Sequence, residues 1–161
     1  MKKGLFLLSL LFLLTGCGEE TKEDVIQEVP KQATVHCELS SRDVINGYET
    51  TAEYTIYYTG DYVDKVDTVE TIISDSTEIL DTMEAYINTT YDSMNNAYGG
   101  YTYEVKKEDG KVISNVEIDY TEMDLDRYVT DQPLMTNYVK DGKFLLDGIV
   151  EIYEATGATC E

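Results

Sequence analysis

Catalysis by this chain would have to draw on one histidine, three cysteines or some pair among 32 acidic residues. His36 is the only side chain whose ordinary pKa lies near neutrality, so any Ser-His-Asp or Cys-His mechanism must use it. Val35, Cys37 and Leu39 alternate with His36, Glu38 and Ser40, which turns His36 outward on a strand. No G-x-S-x-G, glycine-rich phosphate loop, H-E-x-x-H or zinc-ligand spacing occurs. Two facing carboxylates could cleave a glycosidic bond, but no pair is marked out by its spacing. The run Asp119-Tyr120-Thr121-Glu122-Met123-Asp124-Leu125-Asp126 offers oxygens to a hard cation. It lacks the spacing and central glycine of a calcium loop and reads as a solvated strand end and helix start. The sequence therefore predicts no catalytic residue, no metal ligand and no cofactor.

The cysteines carry more. Met1-Lys2-Lys3, an apolar run over residues 4–14 and then Leu14-Thr15-Gly16-Cys17 match an export signal closed by a lipobox. The apolar run falls short of the roughly 20 residues that span a bilayer. The expectation is removal of residues 1–16 and a diacylglyceryl group on the Cys17 sulfur. Two acyl chains anchor stably where one does not. That predicts an extracytoplasmic lipoprotein of the cell membrane or outer membrane. Cys37 and Cys160 remain as an even pair in an oxidising compartment, and a structural disulfide is expected between them. Two free thiols are the alternative. No C-x-x-C spacing supports a redox pair.

Formal charge is −20 at pH 7. Two of the 12 basic residues and none of the 32 acids fall in residues 1–16, so the remainder carries 10 bases against 32 acids, or −22. Such a surface excludes nucleic acid, whose phosphates need Lys and Arg, and anionic lipid headgroups. Solubility and self-exclusion from a membrane surface account for the charge; a cation or a basic partner is the alternative. Fourteen tyrosines occur with no tryptophan. Cross-strand pairing explains most of them. Tyr57 and Tyr58 are the candidates for ligand contact, Tyr57 above all, because its parity sets it among Glu49, Glu53 and Thr55.

Residues 17–32 read as an acidic flexible tether, and 33–161 as a single domain. Alternation predicts strands near 35–39, 48–58 and 62–73, the second and third joined at Thr59-Gly60-Asp61. The pattern of the third slips between Val66 and Val69, which predicts a bulge there. Asp75 with Glu78 reads as a capping box, opening a helix whose stripe is Ile79, Leu80, Met83, Ile87, Tyr91 and Met94, and Gly99-Gly100 ends it. Two more strands turn at Lys107-Glu108-Asp109-Gly110, residues 121–128 form a short helix or turn, and a last helix covers 145–156. The predicted class is α+β: a two-layer domain with an antiparallel sheet of about five strands and two main helices on one face.

This order resembles the YehR-like family of small bacterial lipoproteins over most of 33–161. The resemblance rests on Cys17, on Tyr58, Gly60, Asp61 and Val63 of the hairpin, and on the run Ile118 to Leu125 quoted above; a C-terminal helix closes both. It implies an antiparallel α+β domain and brings no catalytic residues. The functional expectation is a non-enzymatic, lipid-anchored envelope domain that binds a small ligand or an envelope protein. The alternatives are an envelope hydrolase using carboxylates that spacing does not identify, or a cation-binding module.

Overall fold

The computed structural model describes residues 31–161; residues 1–16, Cys17 and most of the expected tether lie outside them. Three long strands come first: β1 (Gln32–Asp43), β2 (Tyr48–Thr59) and β3 (Tyr62–Ile73). They pair antiparallel in chain order. Helix α1 (Thr77–Tyr98) then leads into the hairpin β4 (Tyr101–Glu108) and β5 (Lys111–Asp119). The hairpin returns so that β5 lies against β3. Helix α2 (Leu125–Asp131), a 3-10 turn (Pro133–Tyr138) and the two-residue strands β6 (Val139–Lys140) and β7 (Lys143–Phe144) follow. Helix α3 (Leu146–Ala155) leads to β8 (Thr159–Cys160), which pairs with β1. The main sheet therefore runs β4-β5-β3-β2-β1-β8, antiparallel throughout. It is an α+β fold whose main sheet has six strands, one more than expected, the added one being β8.

Pairing assigns each residue to a face. Val35, Ile56, Val66, Ile118 and Tyr101 form one inward row across β1, β2, β3, β5 and β4. Ile56 and Val66 are fully buried in it. Helix α1 lays Leu80 and Ile87 on Ile72 and Val112. Helix α3 brings Ile149 and Tyr153 to the β1–β2 side, where the Tyr153 and Tyr54 ring centroids are 4.3 Å apart. Phe144 is buried at the opposite end from α1's start and packs edge-on to Tyr120 at 4.8 Å.

The structure corrects the sequence in three places. The bulge is at Asp64, not between Val66 and Val69: Tyr57 pairs with Lys65 and Tyr58 with Val63, leaving Asp64 extra. That extra residue lets Val63 and Val66 both face inward, while Val69 is simply an exposed valine on the outer face. The cap of α1 is Ser76, whose side chain accepts from Ile79 N at 3.4 Å, and not Asp75. With Ser76 as cap, the third helical residue is Ile79, so no capping box forms. β1 is also longer than expected, starting at Gln32 because its whole length pairs with β2.

Candidate functional site

On the inner face β3 presents Val66, Thr68, Glu70 and Ile72 in alternation. Glu70 is thus a carboxylate set in a core register. Its direct neighbours are Ala52 on β2 and Ser114 on β5. Helix α1 passes over this point with Met83, Ile87 and Tyr91 on one stripe and Tyr86 and Thr90 on the next, as the i, i+4 spacing dictates. A crevice of about 220 Å³ opens between them, lined also by Tyr48, Thr50 and Ile72.

The electrostatics of the crevice follow from burial. Removal from water raises the Glu70 pKa, against a smaller lowering by the Ser114 hydroxyl, which donates at 3.4 Å. Among the described residues no lysine or arginine nitrogen lies within 4 Å of Glu70. Tyr91 is pushed up to about 12, first by burial and then by the Glu70 charge. Tyr54, on the Cys37–Thr68 row, is raised for the same two reasons. Both tyrosines are neutral phenols across the physiological range. Glu70 is the only carboxylate among the residues lining the crevice.

Two of the larger depressions carry less chemistry. One, of about 320 Å³, includes Asp43, whose carboxylate already accepts from the Ile45 and Asn46 amides. The other, of about 560 Å³, follows the β1 edge past Glu38 and Glu53, both exposed.

The sequence candidates fall elsewhere. Tyr57 and Tyr58 lie on opposite faces of β2. Tyr57 faces outward with Lys65 Nζ 4.7 Å from its ring centre, and Tyr58 pairs with Val63. They form no common surface. Lys65 is held by Glu117 at 2.8 Å, and its Nζ is 3.1 Å from Asp67 Oδ1, an ionic contact off hydrogen-bond alignment. His36 is exposed, with Nδ1 3.3 Å from Thr55 Oγ1. Asp119 accepts from Thr121 N and Oγ1 at 2.8 and 2.6 Å, and Asp124 caps α2 through Arg127 N at 3.1 Å. The acidic run closes turns, and no group of metal-ligating side chains converges among the described residues.

Cys37 and Cys160 sit directly opposite each other on β1 and β8, bonded at an S–S distance of 2.01 Å. The adjacent pair, His36 and Glu161, exchanges both backbone hydrogen bonds at 3.0 and 2.8 Å. The cysteines are therefore a non-hydrogen-bonded pair, the closer of the two antiparallel spacings. Their Cα atoms are 4.0 Å apart.

Glu70 escaped the sequence reading, although its signal is present: an acid at an even position within Val66-x-Thr68-x-Glu70-x-Ile72. With the fold and the crevice defined, the class is an α+β two-layer domain of YehR-like fold. The solved structure of YehR from E. coli matches with a TM-score of 0.51 at 18% identity, over 81% of this chain and 91% of that one. A protein from Streptococcus pneumoniae TIGR4 matches with a TM-score of 0.50 at 14% identity, over 100% of this chain and 98% of that one. No family model and no curated protein matches the chain.

Proposed function

We propose that this chain is a lipid-anchored, non-enzymatic binding domain of the bacterial cell envelope, with the crevice beside Glu70 as its ligand seat. The observation that carries the binding part is a partly buried carboxylate with no cationic partner among the described residues, facing a hollow walled by tyrosines. A concave site with one polar group among apolar walls is the usual form of a small-molecule site. A two-carboxylate hydrolase finds no support there, because the crevice holds one acid.

The anchoring part rests on the lipobox at Cys17 and on charge. The expected tether, 14 residues between Cys17 and Gln32, allows a reach of roughly 20 Å, and more if its acids repel. β1 starts at Gln32 and runs away from that point for 12 residues, on the order of 40 Å. Glu70 lies toward the far end of the neighbouring strands, near Ile73. On this arrangement the crevice lies on the half of the sheet farther from the tether, and the acidic surface keeps the domain off the membrane.

Labelled palmitate tests the anchor. The wild-type chain should take up label and sediment with membranes, and Cys17→Ser should do neither; label on the variant overturns the anchor. A fragment library screened by amide chemical shifts tests the seat. Hits should cluster at Glu70, Thr90 and Tyr91. Hits confined to the outer sheet face would move the site.

A further inference from the structure

The seat can be assigned a ligand class; this step rests on the crevice being the binding site. Two features of the hollow converge. Its only ionisable acid, Glu70, has Ser114 Oγ as a hydrogen-bond donor but no ammonium or guanidinium within 4 Å among the described residues. The nearest-placed lysines are engaged elsewhere: Lys65 serves Glu117 and Asp67 on the outer sheet face, and Lys107 of β4 pairs with Asp81 and Glu84 of α1. A carboxylate drawn out of water is costly unless a charge comes to it. Three tyrosines, Tyr48, Tyr86 and Tyr91, line the same space, and the faces of aromatic rings attract cations.

Size and donor chemistry narrow the class. At about 220 Å³ the crevice is smaller than the roughly 300–1,000 Å³ of drug-sized sites, so its occupant has few heavy atoms. A bare Ca²⁺ ion wants six to eight oxygens, roughly, and the lining offers one carboxylate with the hydroxyls of Thr50 and Thr90. Met83, Ile72 and Ile87 supply apolar contact that a metal ion cannot use and an alkyl group can. An anion would meet Glu70 and a chain of formal charge −20. That same field draws cations in.

We propose that the crevice between α1 and strands β2–β3 binds a small organic ammonium ion, its charge set against Glu70 and its alkyl groups against Tyr86, Tyr91 and Met83. Tyr86 is 66% exposed and stands at the rim, where it closes over the bound cation. Tyr91 is deeper and packs against Tyr101 and Tyr103, which fixes its ring.

The test uses the full chain in a nonionic detergent and four probes: tetramethylammonium, n-butylammonium, the neutral tert-butanol and acetate. The amide signals of Glu70, Thr90 and Tyr91 should shift and saturate with both ammonium ions. Binding of tert-butanol should be about tenfold weaker or more, and acetate should leave the signals in place. Glu70→Gln keeps the shape and removes the charge, and should lower ammonium affinity about tenfold without changing that for tert-butanol. Tyr86→Leu, at an exposed position, should weaken tetramethylammonium selectively. If tert-butanol binds as well as tetramethylammonium, or Glu70→Gln retains ammonium affinity, the ammonium assignment fails and the seat stands. If no probe moves these signals, the assignment and the seat both fall.

Discussion

Ser114 Oγ donates to Glu70 Oε2 at 3.4 Å across the β3–β5 pair, and Ser114 itself is 1% exposed. A buried hydroxyl thus supports a carboxylate that burial disfavours. Glu70 has a folded-state pKa above its ordinary value of 4.5. The stability it contributes is therefore full below about pH 4.5, where folded and unfolded chains both hold the proton. It is lost as pH rises through the folded-state value, because the ionised form is favoured more in the unfolded chain. Glu70→Gln removes that cost and should raise the melting temperature at neutral pH by a few degrees. The gap should close on acidification. A lower melting temperature for the variant at neutral pH would contradict this, and a gain would match the general exchange of stability for function at binding sites.

The cap of α1 distinguishes two neighbouring residues. Ser76→Ala should cost about 1 kcal/mol in urea unfolding, because the Ile79 amide loses its acceptor. Asp75→Ala should cost close to nothing, since Asp75 is exposed and no side-chain hydrogen bond to it occurs among the described residues. The reverse order would restore Asp75 as the cap.

The Cys37–Cys160 bond closes a separation of 123 residues. In the chain-entropy model that is worth about 5 kcal/mol, reduced by any strain in the native state. Replacing both cysteines by serine should lower stability by about 2–5 kcal/mol in urea unfolding. It should also speed amide exchange at His36 and Glu161, whose paired hydrogen bonds hold β8. Equal midpoints for both chains, with two thiols reacting in the unreduced wild type, would refute the bond.

Two glycines with nearly equal φ should differ in tolerance. Gly100 (φ 77°) and Gly110 (φ 76°) both occupy the left-handed region. A Cβ on Gly110 meets nothing within 4 Å, whereas one on Gly100 comes 2.5 Å from the Asp119 carbonyl oxygen. Gly110→Ala should cost about 1 kcal/mol from the backbone alone, and Gly100→Ala about 3 kcal/mol or more. Similar costs at both sites in thermal unfolding would show that the β4 start can move away from β5.

The long elements were legible because their patterns are long. Twelve-residue strands and a 22-residue helix repeat their periodicity often enough to fix both type and extent. What escaped is short or tertiary. β8 is two residues whose strand character exists only through β1, and β6–β7 is a six-residue hairpin recognisable once Phe144 is seen buried. The Asp64 bulge was misplaced because Val69 resembles a core valine until its neighbours on the outer face, Glu53 and Asn115, are known. Glu70 was lost among 32 acids, and only the register with Ala52 and Ser114 under α1 sets it apart. Tyr57 faces outward as its parity with Glu49, Glu53 and Thr55 indicates, whereas Tyr58, the next residue in the strand, turns to the other face.

The account stands or falls on Glu70. The most direct measurement is its own titration, read from the side-chain carboxyl carbon shift with and without saturating tetramethylammonium. The account predicts a midpoint above 4.5 in the free protein, moving downward when the cation is added, because a bound positive charge favours the ionised carboxylate. A midpoint at the ordinary glutamate value in the free protein, or one that ignores the cation, would contradict it.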